Sequence, residues 1–100
     1  MPCTLIKTSV KPDGVEWYNT SNAAEVNQLV EATRTFPGVV SHTSDKIPGT
    51  ANFWRTVTVF TDRAACNSFR KAMSATPEYK KRQAYNQQHG IVVERKIVES

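Results

Sequence analysis

The chain has 100 residues, 39% of them hydrophobic and 22% charged, with four Gly and five Pro. That is enough apolar material for one hydrophobic core and too little chain for two, so a single domain spanning residues 1–100 is expected, and disordered or collagen-like architectures are excluded. No apolar run reaches the roughly 18 residues that would cross a bilayer, and Met1-Pro2-Cys3-Thr4 lacks the basic-then-apolar opening of a secretory leader. The cytoplasm is therefore the expected compartment, and the glycosylation pattern Asn19-Thr20-Ser21 carries no weight. The net charge of +4 is localised: residues 61–90 hold six Lys and Arg against two Asp and Glu, and the remainder balances at seven against seven. With no exposed aromatics interleaved among them, these cations read as a solvated helix face in preference to a phosphate-facing patch.

Residues 4–10 are rich in β-branched side chains and stop at the turn signal Lys11-Pro12-Asp13-Gly14, which predicts a first strand. Asn22 and Glu25 stand as in a capping box, and Val26, Leu29, Val30 and Thr33 recur at helical spacing, predicting a helix that ends near Phe36. Residues 39–44 read as a second strand, Ile47-Pro48-Gly49-Thr50 as a break, and residues 53–60 as the clearest strand of all. Thr61 and Asp62 are good caps for a second helix on which Ala65, Cys66, Phe69, Ala72 and Met73 trace one apolar stripe. Thr76-Pro77-Glu78 starts a shorter helix reaching about Gln88, Gly90 can close it in the left-handed conformation, and residues 91–98 supply a last strand. Cys3 and Cys66 fit no C-x-x-C or zinc-ribbon spacing and are expected to be reduced thiols, with Cys66 acting as a small hydrophobe.

This β-α-β-β-α-(α)-β order predicts an α+β, ferredoxin-like βαββαβ fold, with a four-stranded antiparallel sheet and helices on one face. Because side chains alternate along a strand, Phe53, Arg55, Val57 and Val59 point one way and Trp54, Thr56, Thr58 and Phe60 the other. The last strand likewise splits into Ile91, Val93 and Ile97 against Val92 and Val98. Large apolar groups on both faces require a cover for the face without helices, and the simplest cover is a second copy, giving a homodimer packed sheet on sheet.

The stretch Phe36-Pro37-Gly38-Val39-Val40-Ser41-His42, residues 53–65, and Ser74-Ala75-Thr76-Pro77-Glu78-Tyr79 together resemble the dimeric α/β-barrel superfamily, especially the antibiotic-biosynthesis-monooxygenase-like proteins. The resemblance covers roughly residues 30–85 and implies a dimeric α/β barrel with cofactor-independent monooxygenase-, isomerase- or cyclase-like chemistry on a small apolar or aromatic molecule. Phe69 and Gln83 stand where the haem-degrading branch would carry tryptophan and histidine, which disfavours haem degradation. The first strand also lacks the histidine typical of the stress-responsive and polyketide-cyclase branches, so their chemistry does not transfer.

Among individual residues His42 is the candidate for catalysis, since a neutral imidazole in a cleft is a natural acid or base near pH 7; a histidine merely hydrogen-bonded on a sheet face is the commoner alternative. One of Trp54 and Arg55 should line the space beneath the helices and the other meet the partner, and a buried Arg55 would need an acid, with Glu94 the obvious one. Tyr79 and Tyr85 flank the short third helix and, with Trp54, are the candidates for a pocket lining, whereas His89 reads as a surface residue at a helix end. Two histidines without H-x-H or H-E-x-x-H spacing give no metal site, and no phosphate loop or nucleophile elbow is present, so neither metal nor cofactor is expected.

Three functional readings follow. The first is a small-molecule cavity between sheet and helices, and the second a dimeric structural or regulatory module without chemistry. The third, RNA binding on a recognition-module sheet, ranks last because residues 52–60 place Phe53 and Trp54 on opposite faces and contain no glycine.

Overall fold

A computed structural model describes residues 1–46 and 52–99, so the expected break at Ile47-Pro48-Gly49-Thr50 lies outside the described residues. The elements run β1 (Cys3–Val10), α1 (Tyr18–Ser21), α2 (Ala23–Thr35), β2 (Val39–Lys46), β3 (Phe53–Phe60), α3 (Arg63–Ser74), α4 (Pro77–Gln88) and β4 (Val92–Glu99). The strands form one antiparallel sheet in the order β2-β3-β1-β4, which is the α+β ferredoxin-like arrangement.

Register decides what each face carries. Cys3, Leu5, Lys7 and Ser9 stand opposite Phe60, Thr58, Thr56 and Trp54 on β3, and opposite Glu99, Ile97, Arg95 and Val93 on β4. This is the side the helices cover, because Cys3, Leu5, Phe60, Cys66 and Phe69 form the buried core, with Phe36, Val39, Met73 and Ile97 packed on it. The Phe69 ring meets those of Phe36 and Phe60 at 5.3 Å each, and burying a side chain of this size stabilises by roughly 1.5–3 kcal/mol. The core thus occupies the Cys3–Phe60 end of the sheet.

Local chemistry fixes the helix starts. Asp62 accepts a hydrogen bond from the Ala65 amide at 2.8 Å and Thr76 one from Tyr79, with Pro77 at the first helical position of α4. The capping box expected at Asn22 and Glu25 does not form. The short α1, which periodicity did not reveal, runs into α2, and the Asn22 amide donates back to the Tyr18 carbonyl while Glu25 takes the Tyr18 hydroxyl. Ala72 drops out of the apolar stripe, being exposed, so α3 buries only Cys66 and Phe69. Gly38 and Gly90 take φ of 88° and 72°, and a Cβ on Gly38 would come within 2.5 Å of the Ala65 Cβ.

The other sheet face presents Ile6, Val10, Phe53, Val57, Val59, Val92 and Val98. Val10, Val92 and Val98 are exposed at 48%, 58% and 38%, so no described residue covers the face at these valines, while Ile6, Phe53, Val57 and Val59 are half-buried. Among the described residues no helix is long and apolar enough to cross a membrane.

Candidate functional site

Toward the Lys7–Trp54 end of the sheet the helix-side positions change character. Where a packed core would continue with long apolar groups, the strands offer Thr58 and Thr56 from β3, His42 and Ser44 from β2, and Lys7 from β1. The short side chains of Thr56, Thr58 and Ser44 leave space above them, and α4, which buries no residue, does not fill it. The result is a cavity of about 680 Å³ between sheet and helices, floored by those strand residues and walled by Val26, Leu29 and Val30 of α2 and Phe69 and Met73 of α3. Its size falls within the range of small-molecule sites.

His42 lines this cavity. Its Nδ1 lies 2.8 Å from the Thr58 hydroxyl, which fixes the ring; in the tautomer that donates from Nδ1 to Thr58, Nε2 is the proton acceptor. Burial, aided by the positive charges of Arg34 and Lys7, lowers its pKa below the usual 6.5 and keeps the imidazole neutral at pH 7. Trp54 lines the cavity too, its indole N–H donating to the Ser44 hydroxyl at 2.6 Å and its ring packed edge-on to Trp17 at 5.8 Å. Tyr79 reaches in from α4, and its hydroxyl accepts a hydrogen bond from Arg95 at 2.9 Å.

Two expectations need correction. Tyr85 is not on the cavity wall: its hydroxyl donates to the Glu16 carbonyl at 2.7 Å and its ring packs against Tyr18 and His89, so it ties α4 to the segment before α1. Arg55 points to the outer face as Trp54 points inward, but it is exposed and makes no ion pair with Glu94, because the two stand on either side of Thr8, two strand spacings apart. His89 forms the C-cap of α4.

Sequence reasoning missed Lys7, Arg82 and Arg95, all on the cavity wall. Lys7 shares the inward parity of Leu5, and Arg95 that of Ile97, so both were legible once β1 and β4 were assigned a core-facing side. Composition places Arg82 with the solvated helix face, whereas it is half-buried and follows Tyr79 by three positions on the same side of α4. Enclosure, reinforced by Arg82 and Arg95, pushes the Lys7 pKa from 10.5 down to about 7, and burial likewise lowers that of Arg82. Cys3 and Cys66 are free, buried neighbours, and burial raises the Cys66 thiol. Among the described residues no three His, Cys, Asp or Glu side chains are grouped as a metal site needs.

No family model matches the sequence, and no curated protein is detectably similar to it. Solved structures are similar in fold. SnoaB, a cofactor-independent oxygenase from Streptomyces nogalater, superposes with a TM-score of 0.67 at 18% identity, covering 99% of this chain and 92% of its own. Rv0793 from Mycobacterium tuberculosis gives 0.68 at 14% identity, covering 100% and 95%. A Deinococcus radiodurans protein provisionally described as an antibiotic biosynthesis monooxygenase gives 0.66 at 13% identity, covering 98% and 91%. The chain therefore has the fold of the antibiotic-biosynthesis-monooxygenase-like proteins over its whole length, beyond residues 30–85 where the sequence resembled them.

Proposed function

We propose that this protein binds a small, mainly apolar molecule in the cavity and acts on it without a cofactor, beginning with proton removal by His42. The observation that supports this reading is the cavity itself, about 680 Å³ with an apolar helix wall and a neutral, oriented imidazole on its floor. A neutral imidazole can take a proton from carbon beside a carbonyl, and the enolate so formed is the common starting point for oxygenation, isomerisation and cyclisation. In oxygenation the enolate carbon reduces O₂ to a hydroperoxide that loses water, so that CH₂ and O₂ become C=O and H₂O. The likeness in fold to a cofactor-independent oxygenase favours that branch.

A homodimer through the outer sheet face belongs to the same proposal. Ile6, Phe53, Val57 and Val59 are half-buried there beside the exposed valines, and exposed Arg55 and Glu94 lie on the same face, so a two-fold copy can set opposite charges against each other. A standard interface would bury about 800 Å² of each copy.

The test is deuterium exchange of the α-protons of 2-tetralone, an aromatic ketone, followed by NMR in D₂O at neutral pD with chelator-treated protein. The proposal expects exchange faster than in buffer and at least tenfold slower with His42→Gln. Exchange that the protein does not accelerate, or that survives the substitution, contradicts the role given to His42.

A further inference from the structure

Among the described residues, the basic groups on the cavity wall have no acidic counterpart. Lys7 and Arg95 are directly opposed on β1 and β4 and face the helices, and Arg82 comes toward them from α4. Arg70 and Lys71 of α3 also line the cavity, but none of the described residues lining it is Asp or Glu. The ion pairs among the described residues, Arg34–Glu31 and Arg63–Glu99, lie elsewhere, and Glu78, one turn before Arg82, is not paired with it. Lys7 and Arg82 make no hydrogen bond or ion pair with another described residue, while Arg95 is held by the Tyr79 hydroxyl and lies 5.7 Å from the centre of that ring. Lys7 and Arg82 are half-buried and Arg95 is exposed at the cavity edge; like charges gathered there without a described counter-charge destabilise the fold, so their placement points to something the fold alone does not need.

We infer that Lys7, Arg82 and Arg95 form an oxyanion subsite at one end of the cavity, and that the molecule it takes is a ring-bearing carboxylic acid, bound as its carboxylate. The inference rests on the cavity being the ligand site and adds the class of ligand. The planar fork of Arg matches a carboxylate, and the apolar part of the remaining wall, Val26, Leu29, Val30, Phe69 and Met73, suits a hydrocarbon body. Spacing agrees with this division. Lys7 on β1 and His42 on β2 are separated by β3 and offset by two residues along the strands, since His42 pairs with Thr58 and Lys7 with Thr56, so their backbones stand about 12 Å apart, which leaves room for a two-ring body between the anion and the imidazole. An anion beside Lys7 also favours its charged form against burial and the charges of Arg82 and Arg95, Tyr79 and His42 being the other titratable groups on the lining, so binding draws a proton onto the protein.

The experiment is isothermal titration of the full chain at pH 7.5 with 2-naphthoate and with its neutral amide, 2-naphthamide, each in two buffers of different ionisation enthalpy. We expect 2-naphthoate to bind at least tenfold more tightly, with net proton uptake. Lys7→Met and Arg82→Met should each remove most of that preference without weakening the amide, and Arg82→Lys should recover part of it. Melting curves confirm that the variants are folded. Equal affinity for the two probes overturns the oxyanion subsite and leaves the cavity reading intact, whereas binding of neither overturns both. A preference that survives both Met substitutions places the anion elsewhere and contradicts the assignment. Inorganic phosphate that displaces 2-naphthoate at equal concentration overturns the carboxylate in favour of a phosphate.

Discussion

Lys7 holds an ammonium group in enclosure beside two guanidinium groups, and its pKa of about 7 against 10.5 for an ordinary lysine measures the cost. The unfolded chain keeps the proton that the native state releases, so the native protein gains stability as pH rises from 7 through 10.5 and carries the full penalty at or below 7. Lys7→Met, close in volume and without the charge, should therefore be the more stable protein at pH 6.5. The gain is on the order of a few kcal/mol, enough to raise Tm by several degrees, and it should shrink at pH 9.5. A variant that melts below the parent at pH 6.5 would contradict this. The sign for His42 is different in consequence: its lowered pKa leaves the base active at neutral pH, and exchange of 2-tetralone protons should be lost on acidification through a midpoint below 6.5. Cys66, raised by burial and lying against Cys3, should react with a thiol reagent slowly at pH 8 in the native protein and at the rate of an ordinary thiol in denaturant.

Helices and strands were legible where periodicity and caps coincide. Asp62 and Thr76 announce α3 and α4, and the contributions they make are measurable: Asp62→Ala should cost about 1 kcal/mol in denaturant unfolding by leaving the Ala65 amide unpaired. Gly38→Ala should cost more, at least about 1–2 kcal/mol, because the position needs positive φ and its new methyl would press on Ala65. The capping box at Asn22 failed for a reason the local pattern does not hold. Tyr18, brought up by α1, competes for both Glu25 and Asn22, so a contact outside the four-residue motif decides the outcome. Tyr85 misled in a similar way, since helical spacing gives its side of α4 but not that the Glu16 carbonyl waits there. The basic residues of 61–90 are not one surface, because the helix period places Arg82 beside Tyr79 on the cavity side.

At the scale of the molecule, the alternation of β3 foresees apolar groups on both faces of the sheet and sets Trp54 and Arg55 on opposite faces; which of the two faces the helices, and that His42 of β2 joins Trp54 on the cavity, comes from the structure. The cationic end of that space is legible in parity alone, Lys7 with Leu5 and Arg95 with Ile97, whereas the register that sets Lys7 directly opposite Arg95 comes from the structure. The bare face with Val10, Val92 and Val98 should make the protein an equilibrium dimer of 11.2 kDa chains by sedimentation, and replacing Val92 and Val98 by Lys should shift it to the monomer. The central claim, that the cavity beneath the helices is the ligand site, is tested most directly by methyl-resolved NMR during addition of 2-naphthoate. The account predicts shifts at Leu5, Leu29, Val30 and Met73 on the cavity wall, with Val92 and Val98 on the outer face unmoved. Shifts confined to the outer valines, or none at saturating ligand, would contradict it.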